Sequence, residues 1–178
     1  MKKAKYFACD FETTGLLAPT VAKLDRQPYI VQIASITLDA GLNTIEENSC
    51  LVRPPVHIPA EVSKIHGITD DMVKGSPRFS EIAGEMIEDL QGLTWVGQNT
   101  AFDLGVLYHE LRRAKLLTEP IPSVDLMDLI IARWGKRRKL GDVYQEIFGR
   151  KLEGAHDALF DIRATVECMK ALRKELNV

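Results

Sequence analysis

Four carboxylates and one imidazole stand out in this chain by their placement. Asp10 and Glu12 lie two residues apart at the end of a short apolar and aromatic run, Lys5 to Phe11. On an extended strand, residues i and i+2 share a face, so both anions project to one side and Phe11 to the other. Buried without partners, such charges are costly unless water or cations relieve them. Asp103 belongs to a distant segment, and Asp161 to a third, with His156 five residues before it. If these groups converge, crowded acids demand divalent cations, and that combination points to metal-dependent hydrolysis of phosphodiesters.

Taken singly, the later groups have structural readings as well. Asp103 falls where a helix would begin, and an acid in a first turn is favoured by the helix dipole alone. Asp157 is explained as an N-cap of the last helix. A histidine just outside a helix start is often structural. Asp161 differs, because it lies one turn inside that helix beside the apolar face of Leu159, Ile162 and Val166, where a solvated acid is less expected.

Several elements must position these groups. The run ending at Phe11 reads as a buried strand, followed by the turn-like Thr13-Thr14-Gly15. Residues 29–38 (YIVQIASITL) form a second strand, and the Gly-containing turn at Asp39 leads into a third over residues 44–52, an antiparallel hairpin. Apolar residues from Phe79 to Leu90 recur at helical spacing after Pro77. Thr94 to Val96 is a short strand, and Asn99 or Thr100 would cap a helix carrying Phe102, Val106, Leu107 and Leu111. Further helices are expected over Asp125 to Arg133, Leu140 to Phe148 and Asp157 to Leu176. Strands early and helices late suit an α/β fold in which a mixed sheet is covered by helices. Leu17 to Pro28 reads as a structureless stretch, either overhanging the site or simply solvated.

Composition narrows the function. The 178 residues are expected to make one domain, 1–178. With 23 basic and 25 acidic residues the formal net charge is −2, so nucleic acid is not held by bulk charge and any contact must be local. Cys9, Cys50 and Cys168 lack paired spacing for zinc or a disulfide framework, which suits a reducing cytoplasm. The basic start is followed by an apolar stretch cut short by Asp10 and Glu12, unlike a secretory signal, and no apolar run has the length of a membrane span.

Three stretches carry a family likeness: ACDFETTGL from Ala8, WVGQNTAFDLGVL from Trp95 and GAHDALFDIRAT from Gly154. They resemble the three motifs of the DEDD, or DnaQ-like, 3′-to-5′ exonuclease superfamily. The spacing of His156, Ala158 and Asp161 resembles its DEDDh branch. IHGIT from Ile65 and SVDLMDLIIAR from Ser123 are similar to connecting segments of that family. Gln98 departs from the pattern, standing where a histidine commonly precedes the asparagine; glutamine keeps hydrogen-bonding capacity there.

The resemblance implies an RNase H-like fold, a five-stranded mixed sheet flanked by α-helices with Asp10 and Glu12 on its central strand. It implies that Asp10, Glu12, Asp103 and Asp161 hold two divalent ions, Mg2+ or Mn2+, for which hard oxygen ligands are suited. Asp10 would bridge both, Glu12 and Asp161 would serve the nucleophile's ion, and Asp103 the leaving-group side. His156 is the implied general base. The implied activity releases nucleoside 5′-monophosphates from a nucleic acid 3′ end, with single-stranded DNA favoured and RNA as the alternative. The protein would act alone, as a homodimer, or as editing partner of a polymerase, with no membrane role.

The resemblance also offers substrate contacts at Thr13, Thr14, Leu16, Asn99, Phe102 and His66. Each has a plainer reading: Leu16 and Phe102 as core, Asn99 as a helix cap. The basic run Lys136 to Lys139 is either a solvated loop or a contact for phosphates of an incoming strand. Two other readings compete with catalysis of this kind. A binding module that lost its chemistry is disfavoured by retention of all four acids. A phosphohydrolase using Asp10 as nucleophile leaves Asp103 and His156 without a role.

Overall fold

The computed structural model describes residues 3–19, 23–152 and 157–176. Tyr6–Thr13 (β1), Ile30–Leu38 (β2) and Thr44–Leu51 (β3) pair antiparallel in sequence order. Asp39 closes the β2–β3 turn, its Oδ1 accepting the Gly41 and Asn43 amides at 2.9 Å, the local bonding that makes aspartate a turn residue. Thr94–Gly97 (β4) and Ser123–Asp125 (β5) add to the other side in parallel, giving the order β3-β2-β1-β4-β5. The strand bearing Asp10 and Glu12 is therefore the central one.

Alternation along β1 divides the core into two layers. Tyr6 and Ala8 join Ala34, Ile36 and Leu38 of β2 under helices Leu126–Trp134 (α5), Leu140–Phe148 (α6) and Ala158–Leu176 (α7). Phe7, Cys9 and Phe11 join Ile33 and Trp95 under Phe79–Leu90 (α3) and Thr100–Arg113 (α4). The helical spacing predicts the buried stripe of α3, which consists of Phe79, Ala83, Met86 and Leu90. Helices α5 and α6 stop where Gly135 and Gly149 take φ of 70°, a conformation that strains other residues.

The fifth strand that the resemblance implies is β5, which has no local signal of its own in the sequence, and the helices Ala60–His66 (α1) and Asp70–Val73 (α2) have none either. Helices this short are unstable alone, and they persist here through packing, with Ile58, Ile68 and Val73 closing on Val31 of β2. The stretch Leu17 to Pro28 is not structureless. It contains a 3-10 turn, Leu24–Arg26, and buried Gln27 ties it back to Ala18 and Pro19 through both amide atoms. The Arg113 guanidinium of α4 donates to the carbonyls of Leu24, Gln27 and Pro28 at 2.7–2.9 Å. A Cβ on Gly105 would come within 2.8 Å of Leu17, so the glycine allows this segment to seat on α4.

Candidate active site

The acids gather where β1 and β4 part. Parallel pairing between these strands runs from Tyr6↔Thr94 to Ala8↔Val96, after which β1 continues alone on that side and α4 begins at Thr100. Crevices at the carboxyl ends of such strands are where open α/β sheets bind ligands. Asp103 lies in the first turn of α4, only 2% exposed, and its Oδ1 accepts the Phe11 amide at 3.2 Å. The carboxylate replaces a neighbouring strand as partner for β1. Asp10 and Glu12 follow Tyr6 and Ala8 onto the α7 side. There each offers an oxygen that, with one from Asp161, lies within 4.8 Å of the others. Asp103 is outside that trio, coupled to Asp10 through its charge.

These groups oppose one another's ionisation. Burial, then the charges of Asp103, Glu12 and Asp161, push Asp10 well above the ordinary carboxylate range. Burial, then Asp161, Asp157 and Asp103, push Glu12 up to about 8. Burial carries Asp103 to about 7, against the lowering effect of the Phe11 amide. An all-oxygen set with this repulsion fits hard divalent cations, which would reverse every one of these shifts.

Helix α7 is aimed by a residue that the sequence alone does not single out. Gln32 is 8% exposed on β2; its Oε1 accepts the Ala158 amide at 3.4 Å, and its Nε2 lies 3.5 Å from Asp157 Oδ2. Asp157 caps α7 as expected, accepting the Leu159 and Phe160 amides at 3.0 and 3.3 Å. The signal for Gln32 is one amide in step with the apolar Ala34, Ile36 and Leu38, a group that must find partners when buried.

The start of α4 departs from expectation. Asn99 is not a side-chain cap; it takes a left-handed φ of 62°, and its Oδ1 accepts from Arg137 at 2.9 Å. Asp125, from the sequence only the start of an expected helix, accepts the amides of Asn99 (2.7 Å), Thr100 (3.0 Å) and Met127 (2.8 Å). One carboxylate thus orders the starts of α4 and α5. Gln98 donates to the Arg138 carbonyl at 3.3 Å, so Gln98 and Asn99 together hold the basic run Lys136 to Lys139 beside the helix that carries Asp103.

The remaining candidates are placed as follows. Thr13 is buried, its hydroxyl donating to the Gly15 carbonyl at 2.7 Å, and Thr14 Oγ1 accepts the Tyr29 amide at 2.9 Å. Leu16 is 85% exposed, which rules out the core reading. Phe102 is half-buried against the α3–α4 layer, consistent with the plainer reading of it as core. His66 accepts the Ile68 amide at Nδ1 (3.0 Å), which puts its proton on Nε2 when neutral, and burial lowers its pKa. His156 lies outside the described residues.

Comparison with known proteins agrees with this architecture. The model of the family described as Exonuclease (RNase_T) matches residues 7–169. DNA polymerase III subunit epsilon of Treponema pallidum (strain Nichols) is 31% identical over 91% of this chain and 73% of its own length. A PolC-type DNA polymerase III of Clostridium perfringens is 31% identical over 97% of this chain, which spans only 11% of that relative. The 3'-5' exonuclease DinG of Bacillus subtilis is 32% identical over 73% of the chain and 13% of its own length. Among solved structures, E. coli Exonuclease I with a dT13 oligonucleotide superposes with TM-score 0.79 at 19% identity, covering 98% of this chain and 42% of that one. The nuclease domain of 3'hExo bound to rAMP gives 0.76 at 15%, covering 98% and 95%. The fold is the RNase H-like exonuclease fold.

Proposed function

Because the chain belongs to the Exonuclease (RNase_T) family, within the DEDD, DnaQ-like superfamily, we propose that its 178 residues act as one 3′-to-5′ exonuclease domain that shortens DNA, single-stranded by preference. The observation that carries this reading is the trio of Asp10, Glu12 and Asp161 oxygens within 4.8 Å, beside buried Asp103. The family depends on divalent metal, and the donor set fits it. Asp10, Glu12, Asp103 and Asp161 would hold two ions, Mg2+ or Mn2+. When bound, they supply the positive charge that lowers the pKa of an attacking water and stabilises charge on the phosphate oxygens.

The chain's own residues do the rest. Asp103 accepts the Phe11 amide and so registers α4 against β1. His156 takes the proton from the attacking water, a role that needs it neutral and suits an imidazole near neutral pH. Leu16, largely exposed after the first motif, offers an apolar surface for a terminal base, as aromatic and aliphatic platforms do for single strands. Thr13 and Thr14, through backbone and hydroxyl groups, and the His66 Nε2 proton bind near the terminal sugar, and Asn99 and Phe102 lie beside it.

DNA is preferred over RNA because relatives of 30% identity or more include polymerase III proteins, and the same likeness supports an editing role beside a polymerase. The three free thiols fit a reducing cytoplasm. Among the described residues no helix is long and apolar enough to cross a membrane. The test is hydrolysis of 3′-end-labelled and internally labelled single-stranded DNA and RNA with Mg2+ by wild type, Asp103→Ala and His156→Ala. Loss of mononucleotides from the 3′ end by wild type alone is expected. A wild type that shortens none of these substrates overturns the reading.

A further inference from the structure

On the opposite face of the sheet from α7, a groove of about 390 Å³ lies between α3 and the β2–β3 hairpin. The period of β2 explains it. Ala34, Ile36 and Leu38 are apolar toward α7, whereas the other face runs Ile33, Ser35, Thr37, and the apolar layer under α3 ends there. Phe7, Ile33, Ile82 and Met86 form its floor, and Glu46, Glu85 and Asp89 its rim.

Three observations indicate that this groove is built to be filled. Ser35 lines it at 8% exposure, and among the described residues its hydroxyl has no hydrogen-bond partner, which leaves it available to an occupant. None of Glu46, Glu85 and Asp89 forms an ion pair among the described residues. Burial, then the charges of Glu85, Glu46 and Glu88, raise the Asp89 pKa. The three acids do not converge as the active-site trio does, where ligand oxygens lie within 4.8 Å, so they are too far apart to share one bare metal ion. Their charge suits ammonium or guanidinium groups carried on a chain.

The groove runs beside β3, an edge strand of eight exposed or half-buried residues with no strand on its outer side among the described residues. An added strand would bond to that edge through its main chain and project alternate side chains over Glu46 and Asn48, which share a face. A second copy of this chain is a poor occupant, because its own β3 would bring Glu46 and Glu47 to an edge that is already acidic.

We propose that this edge and groove dock an extended basic segment of a partner protein, with lysine or arginine at alternate positions. The experiment uses the full chain and a fluorescein-labelled octapeptide of alternating Lys and Val, with its Glu-for-Lys counterpart as control. Fluorescence anisotropy is expected to show salt-sensitive binding of the basic peptide only. Binding should weaken about tenfold in the Glu85→Gln/Asp89→Asn variant, with exonuclease rate unchanged. Ser35→Ala should weaken it several-fold, and amide exchange of Thr44–Leu51 should slow when the peptide binds. Equal binding of the two peptides, or equal affinity in the variant, overturns the proposal. Displacement by spermidine without protection of β3 also overturns it, in favour of a small-amine site.

Discussion

The amide of Phe11 donates to Oδ1 of Asp103 across 3.2 Å, joining the strand that carries Asp10 and Glu12 to the helix that carries Asp103. After burial, the charge of this same carboxylate is the largest of the three that raise the pKa of Asp10. Asp103→Asn keeps an acceptor for Phe11 and removes the charge. In chelator it is expected to gain about 1 kcal/mol or more, roughly 2–4 °C in Tm, while losing activity by at least about a hundredfold. Thermal denaturation in EDTA and a 3′-end nuclease assay check both halves; a variant of lower Tm contradicts the repulsion argument.

The pH dependence of metal-free stability follows from Glu12 at about 8 and Asp103 at about 7. Both lie above the ordinary carboxylate range, so the folded state holds protons that the unfolded state releases, and stability falls as pH rises from about 4 to about 8. Added Mg2+ should flatten that slope and release protons on binding. Tm measured across this interval, with EDTA and with Mg2+, would expose an error if the chelated protein held constant or gained stability.

Arg137 is held by Asn99, and the Arg138 carbonyl by Gln98, which fixes the basic run beside the site. Arg137→Ala and Lys139→Ala are expected to raise KM with kcat little changed. Removing one cation that neutralises a phosphate should reduce the slope of log affinity against log salt by about 0.7. An unchanged salt slope in both variants returns the run to a solvated loop.

Glu110 is buried, accepts the Ile30 amide at 3.0 Å and pairs with Arg113 at 3.3 Å. Glu110→Ala leaves a strand amide without its acceptor and a partly buried guanidinium without its counter-charge, and about 3 kcal/mol or more of stability should be lost. Glu110→Gln, which retains an acceptor, should lose less. Because Ile30 pairs with Thr13 at the end of β1, activity should decline as well. Urea denaturation of the two variants orders the effects.

Leu16 is exposed, so Leu16→Ala should leave stability within about 0.5 kcal/mol. Its effect should appear as a several-fold higher KM for single strands. Steady-state kinetics on a short DNA strand decide it, and an unchanged KM removes Leu16 from the substrate surface.

Much of this architecture is legible in the sequence because its signals are local. The i, i+2 spacing of Asp10 and Glu12, the stripe of α3 and the hairpin turn at Asp39 each depend on neighbouring residues. The elements that escape notice depend on distant partners: β5 exists by pairing with β4, α2 by packing with Val31, and the Leu17 to Pro28 segment by Arg113. Within the site, the acids can be named from their motifs. Gln32 and Asp125 cannot be assigned their positioning duties, since each bridges segments 25 or more residues apart. Leu16 and Asn99 show the limit of propensity, one an apolar side chain left in water and the other a frequent cap residue relieved of capping.

Gln27 and Arg113 together hold the segment after Leu16 with six hydrogen bonds, and Leu17 rests on Gly105. Those contacts make its described part a wall rather than a lid. A strand end that enters the site meets a surface already ordered, so association should carry little conformational-entropy cost on the protein side, and the time spent per nucleotide should be set by the movement of the strand rather than of the enzyme.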